Sequence, residues 1–76
     1  MRDKKYQAVL KSLGKRIRQI RESRHQTQLD VEVESGINRT DISKIENGLK
    51  NLEFLTIVKI ADALEVEIYE LFKPEK

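Results

Sequence analysis

The chain has 76 residues, of which 37% are charged, 38% hydrophobic and 5% aromatic, and this composition suits one small domain with a thin core better than an enzyme with a deep cleft. There is no cysteine and one histidine, His25, so disulfides and thiolate metal sites are excluded and a histidine-based zinc site has too few ligands. The net charge is +2, but it is unevenly distributed: residues 1–24 hold nine Lys/Arg against two acids, and residues 52–76 hold three Lys against six acids. The basic end could bind a polyanion. Alternatively, the charges only solvate the surfaces of helices.

The first predicted element is a long helix over about residues 4–24. Its apolar residues recur in steps of four and three and form one stripe: Tyr6, Leu10, Leu13, Ile17 and Ile20. Gly14 weakens this helix without ending it. The same amino-terminal stretch has no continuous apolar run as long as a signal peptide or a membrane span, and we therefore expect a cytoplasmic protein that does not enter a membrane.

The second predicted helix is short and covers residues 28–35. Thr27 is placed to cap it by accepting a hydrogen bond from a backbone N–H group two or three residues further on. The sequence LDVEVE within it alternates apolar and acidic residues, which is the period of a strand, but one unpaired strand is not expected in a small chain with helical patterning. Gly36 then supplies a break, because glycine takes positive φ at no steric cost.

The third predicted helix covers about residues 39–47, with Asn38 as its N-cap and Gly48 just beyond its end. Ile42 and Ile45 lie on its inner side and are expected in the core. Its outward side carries four polar residues: Arg39, Thr40, Ser43 and Lys44.

The carboxy-terminal part is predicted to form two helices within about residues 54–72. The first covers residues 54–64, and the second is a short helical turn, VEIYELF, that Pro74 stops. The first of these helices is apolar over more than one stripe, so part of its surface exceeds what a small core can cover. The residues that we expect to form a homodimer interface from this excess are Leu52, Leu55, Val58 and Ile68.

Five helices without a repeat or an internal linker indicate a single all-α domain over residues 1–76. The second and third helices, joined by a tight glycine turn, have the layout of a helix-turn-helix motif at about residues 28–47. In that motif the first helix crosses the DNA backbone and the second enters the major groove.

Four segments carry a more specific resemblance: LGKRIRQIRESR, TQ, SGINRTDISKIENG, and IVKIADALEV followed by ELF. In this order and spacing they resemble the phage repressor and Cro type of helix-turn-helix domain, also called XRE-like, over about residues 13–72. The resemblance implies a compact five-helix, lambda-repressor-like DNA-binding domain. The start NRT and the loop GLKN are also similar to the controller proteins of restriction-modification systems.

The resemblance implies roles for individual residues. Those expected to contact bases are Arg39, Thr40, Ser43 and Lys44. Those expected to contact phosphate are Thr27, Gln28, Asn38, Asn47 and Lys50, with Thr27 and Asn38 acting first as helix caps. The chemistry agrees, since arginine pairs with guanine through two hydrogen bonds and hydroxyl side chains serve any base. A buried ion pair between Arg21 and Glu46 is also implied.

Six residues depart from the pattern of that family. His25 and Glu65 stand where the family commonly has glycine, and Glu32 stands where it has a small residue. Gln26 replaces a usual apolar residue. Leu52 takes the place of a common proline, and Glu53 that of a serine cap. These departures concern packing around the first motif helix more than the outward side of the next one.

The sequence therefore predicts a sequence-specific transcriptional regulator, a repressor or an autoregulatory controller, that binds a two-fold symmetric operator in double-stranded DNA as a homodimer. An alternative is an antitoxin-like module that mainly binds another protein and binds DNA secondarily. No enzymatic activity, metal or cofactor is expected, and a small-molecule effector is not expected either.

Overall fold

The computed structural model describes residues 3–73. Four α-helices follow one another, α1 (Asp3–Ser23), α2 (Gln28–Ser35), α3 (Arg39–Glu46) and α4 (Phe54–Ala63), and a 3-10 helix (Ile68–Phe72) comes last. The predicted all-α class is confirmed, although the fifth element is a 3-10 helix. The alternating sequence LDVEVE lies within α2, and Pro74, which was expected to stop the last helix, lies outside the described residues.

One hydrophobic core holds the helices together. Helix α1 packs against α3 and the 3-10 helix, and α2 packs against α3 and α4. The core residues are Leu13, Ile17, Ile20, Val31, Ile42, Ile45, Ile60, Ala61, Ala63, Leu64 and Leu71. Each large aliphatic side chain buried in this way contributes about 1.5–3 kcal/mol relative to an exposed one, so helices as short as α2 and α3 depend on this packing.

Three of the α-helices end in the same hydrogen-bonded turn. At the end of α1, the N–H of Gln26 donates to Arg21 O over 3.0 Å and the N–H of His25 donates to Glu22 O over 3.0 Å, the pattern of a Schellman motif. The residue with positive φ in this motif is usually glycine. Here it is His25 after α1 (φ 58°), Gly48 after α3 (φ 72°) and Glu65 after α4 (φ 58°).

Two glycines allow α1 to lie unusually close to the end of α3. A Cβ on Gly14 would press on Ile45 O and lie 2.7 Å from Glu46 O, and a Cβ on Gly48 would lie 2.7 Å from the Cα of Lys11. The atoms nearest to Gly14 are all backbone, and at Gly48 two of the three nearest are backbone atoms of Lys11, so moving a side chain aside would relieve neither contact. The glycine that weakens α1 as an isolated helix is therefore required by its packing.

Candidate nucleic-acid interface

The outward side of α3 presents polar side chains that are free to bind a ligand. Arg39, Thr40 and Lys44 are exposed and Ser43 is half-buried, while Ile42 on the opposite side is buried. Within residues 3–73, none of these four polar side chains has a hydrogen bond or ion pair that would have to break before binding. The four side chains expected to contact bases thus lie on one accessible surface.

A buried ion pair fixes the carboxy-terminal end of α3 to α1. Arg21 Nε donates to Glu46 Oε2 over 2.6 Å and Arg21 Nη2 donates to Glu46 Oε1 over 3.1 Å, and these two residues are only 9% and 6% exposed. Arg21 Nη1 also donates to the backbone oxygen of Gln26 over 2.8 Å. The hydrogen bond and charge of Glu46 raise the pKa of Arg21 against the opposing effect of burial, so the arginine stays charged.

Gln28, expected to bind phosphate, is part of the same network. Its Nε2 donates to Glu46 Oε1 over 3.1 Å, and the side chain is half-buried. The amide group has a second N–H, so Gln28 can hold Glu46 and donate to another acceptor at once. Gln28 is also the first residue of α2, and the start of a helix has backbone N–H groups without an intrahelical partner that can bind an anion.

The two N-caps of the motif use their side-chain oxygens within the protein. Thr27 Oγ1 accepts from the N–H of Asp30 over 3.0 Å, and the Asp30 carboxylate accepts from the N–H of Thr27 over 2.8 Å, which is a capping box. Asn38 Oδ1 accepts from the N–H of Asp41 over 2.8 Å. Both residues are therefore helix caps, as the sequence suggested. To bind phosphate, Thr27 would have to donate through its hydroxyl hydrogen and Asn38 through its amide N–H groups.

The loop after α3 carries the other expected phosphate contacts. Asn47 Nδ2 donates to Ser43 O over 2.8 Å, and Lys50 Nζ lies 3.8 Å from Asp41 Oδ1. Such a partly exposed pair is weak, at most about 1 kcal/mol, so a phosphate could displace Asp41 from Lys50. Sequence reasoning gave Asp41 no role, because its partner is nine positions away and no periodicity links the two.

A separate apolar surface surrounds the start of α4. Phe54 is 68% and Leu55 62% exposed, whereas Val58 is half-buried. Leu52 and Ile68 are partly buried and also pack against the core. Of the four residues expected in a homodimer interface, Leu55 is thus the most exposed, and Phe54, which was not among them, is more exposed still.

Other classes of site find little support within residues 3–73. No helix in this range is long and apolar enough to span a membrane. No group of three or more His, Asp or Glu residues there could hold a metal ion. His25 is exposed in the turn after α1 and belongs to no such group within residues 3–73.

Comparison with known proteins identifies similar chains. Residues 14–75 match the family described as a helix-turn-helix domain. The uncharacterized HTH-type transcriptional regulator y4dJ of Sinorhizobium fredii is 33% identical over 64 residues, which are 84% of this chain and 83% of that protein.

Two solved structures of restriction-modification controller proteins are also similar. C.AhdI from Aeromonas hydrophila has a TM-score of 0.84 and 34% identity, over 86% of this chain and 98% of that one. C.Esp1396I, solved as a tetramer in complex with its natural 35 base-pair operator, has a TM-score of 0.75 and 32% identity, over 86% of this chain and 96% of that one. The resemblance drawn from the sequence is confirmed.

Proposed function

This chain belongs to the helix-turn-helix domain family, and on that premise we propose that it is a sequence-specific transcriptional regulator that binds a two-fold symmetric DNA operator as a homodimer. It acts in the cytoplasm as a repressor or an autoregulatory controller, as a single domain without enzymatic activity, cofactor or small-molecule effector. The observation that carries this proposal is the polar surface of α3, whose side chains make no hydrogen bond or ion pair within residues 3–73 and whose helix is held in place by the buried Arg21–Glu46 pair.

Base recognition falls to the outward side of α3. Arg39 is at the first turn, the part of a recognition helix that meets base edges, and its planar guanidinium can donate to O6 and N7 of one guanine. Thr40 and Ser43 can donate to or accept from a base, and the Thr40 methyl group can also pack on the methyl of thymine. Lys44, one turn further on, serves either a base or a phosphate.

Phosphate contacts fall to the edges of the motif. Gln28 and Thr27 stand at the start of α2, and Asn38 at the start of α3. Asn47 and Lys50 follow the carboxy-terminal end of α3, before and after Gly48. Such contacts set the register of the protein on DNA and carry no sequence information.

The homodimer is supported by the apolar surface at the start of α4. An exposed Phe54 and Leu55 beside half-buried Val58, Leu52 and Ile68 form a patch that water disfavours. A two-fold axis through it would present two copies of α3 to half-sites about one DNA turn apart, roughly 34 Å. The similar protein C.Esp1396I is described as a tetramer on its operator, which supports assembly of this kind here.

A salt titration of DNA binding tests the assignment of base and phosphate contacts. The operator is first selected from a random pool, and binding is then measured against that site and a scrambled one. Arg39→Ala should lose about 1–3 kcal/mol on the selected site and much less on the scrambled one. Lys50→Ala should weaken both equally and reduce the salt slope by ~0.9 per chain. Equal losses on both DNAs for Arg39→Ala would make it a phosphate contact.

Sedimentation tests the homodimer and the antitoxin-like alternative together. The chain should sediment as a dimer at micromolar concentration, and Leu55→Glu should shift it to monomer because it places two charges in an apolar contact. Thr56→Glu, a half-buried neighbour in the same helix, is the position-matched comparison. If the unsubstituted protein sediments as a monomer, the homodimer proposal is contradicted. The exposed surface of α4 would then be available to bind a different protein, as the antitoxin-like alternative requires.

A further inference from the structure

The first three turns of α1 precede the residues that match the helix-turn-helix family. The family match begins at residue 14, and the first buried residue of α1 is Leu13, but the helix starts at Asp3. A helix of ten further residues is about 15 Å long. This extension is available for a contact that the domain alone would not make.

The extension lies beside the loop that we assign to phosphate. Gly48 packs so closely on α1 that a Cβ there would be 2.6 Å from Lys11 Cγ and 2.9 Å from Lys11 N. A groove of about 860 Å³ is lined on one side by α1 residues including Tyr6 and Lys11, and on the other by loop residues including Gly48 and Lys50. The stem of Lys11 thus rests on the loop, and Lys11 lines the same groove as Lys50.

The charge of the extension suits a polyanion. Lys4 and Lys11 are seven residues apart and so lie on one side of α1, and both are exposed. Between residues 4 and 21 the sequence contains no acidic residue. Within residues 3–73 neither lysine has a hydrogen bond or an ion pair, in contrast to Lys50, which lies near Asp41.

We propose that Lys4 and Lys11 bind DNA phosphates next to those held by the loop after α3, so that the amino-terminal extension of α1 is a third phosphate-binding element beside the motif and the loop. This inference rests on the proposed DNA-binding function. The Cα atoms of the two lysines are about 10 Å apart along the helix axis, and each ammonium group would displace a counterion when it meets a phosphate. Because the contact involves no base, it raises affinity for any sequence and leaves the base preference unchanged.

The test is the salt dependence of DNA binding for the double variant Lys4→Gln/Lys11→Gln. Glutamine keeps the helix propensity and the Cβ and Cγ that pack on Gly48. The control is Lys59→Gln, which makes the same Lys→Gln change, with loss of one charge per chain, at an exposed position in α4. The slope of log K against log salt should fall by ~0.9 for each lysine–phosphate contact that is lost, which is ~1.8 per substituted position in a dimer. The fall should be the same on selected and scrambled DNA, while Lys59→Gln leaves the slope unchanged.

Ethylation of single phosphates locates the contact. In the unsubstituted protein, ethylation should interfere at phosphates adjacent to those whose interference is lost in Lys50→Ala. This additional interference should vanish in Lys4→Gln/Lys11→Gln.

A slope no different from that of Lys59→Gln, or a change in the dimer dissociation constant instead of the slope, would overturn the inference and leave the proposed function intact. Failure of the unsubstituted protein to select any DNA sequence would instead overturn the proposed function.

Discussion

Removing one partner of the Arg21–Glu46 pair should destabilise the fold and weaken DNA binding together. Glu46 is 6% exposed, and in Arg21→Met its carboxylate would keep one hydrogen bond, from Gln28 Nε2 at 3.1 Å. The backbone oxygen of Gln26 would also lose the donor that lies 2.8 Å away. A stranded buried charge of this kind costs about 3–5 kcal/mol.

That cost is large for so small a protein. At 0.05–0.15 kcal/mol per residue, the whole free energy of unfolding of this chain is about 4–11 kcal/mol. Because the pKa of Arg21 is raised, the stability that its proton brings is present below its unfolded pKa and is lost only as the pH rises through the still higher folded value. The deficit of Arg21→Met should therefore be the same throughout the neutral and mildly alkaline range.

Urea unfolding followed by circular dichroism measures the effect, in a cycle of Arg21→Met, Glu46→Leu and the double variant. The double variant should be more stable than the sum of the single losses implies, by about 2 kcal/mol or more, since it strands no charge. The control is Arg18→Met, which removes the exposed pair of Arg18 with Glu22 at 3.2 Å and should cost less than about 1 kcal/mol. If Arg21→Met costs no more than Arg18→Met, the pair is a surface pair in solution and the reasoning is refuted.

Three further changes test the packing and the helix ends by the same unfolding measurement. Gly14→Ala gains about 1 kcal/mol of helix propensity but should be destabilising overall, because its Cβ would press on Ile45 O and overpacking costs about 1–3 kcal/mol or more; a net gain would mean that α1 shifts freely. His25→Gly should be stabilising by about 0.5–1 kcal/mol, because the strain at φ 58° exceeds the entropy cost of glycine; a loss would show that the His25 side chain contributes. Glu53→Ser should raise the free energy of unfolding by about 1 kcal/mol, because Glu53 stands at the N-cap of α4 without a side-chain cap bond. An unchanged free energy of unfolding would mean that another group already caps α4.

The sequence predicted the helices well because their signals are local. Periodicity and caps gave α2 its observed bounds, Gln28–Ser35, although its alternating residues suggested a strand. The resemblance to the family, rather than any local pattern, marked His25 and Glu65 as standing where glycine is common, and both do take positive φ. The sequence alone does not show how these two residues tolerate the strain. The hydrogen bonds of the Schellman turns and the surrounding packing hold both residues at positive φ.

Long-range contacts were beyond the sequence wherever no pattern joins the partners. Gln28 has the residue type of a phosphate contact, and nothing local indicates that its amide also holds Glu46, eighteen positions away. In the sequence, Gly14 is only an unfavourable residue within a helix. The structure shows that the backbone of Ile45 and Glu46 lies too close to allow a side chain there. The Arg21–Glu46 pair was foreseen only through the resemblance to a family, since charge and spacing alone describe two ordinary surface residues.

The arrangement around α3 separates the residues that hold this helix from those that would read DNA. A helix of eight residues is not stable alone in water, and the end of α3 is held by Arg21, by the close approach at Gly14 and by Gly48 on Lys11. None of these contacts uses the outward side, where Arg39, Thr40 and Lys44 stand free. Changes to the holding contacts should therefore weaken binding to every DNA site in proportion, since they alter the position of the whole helix, whereas changes on the outward side should alter the order of preference among sites.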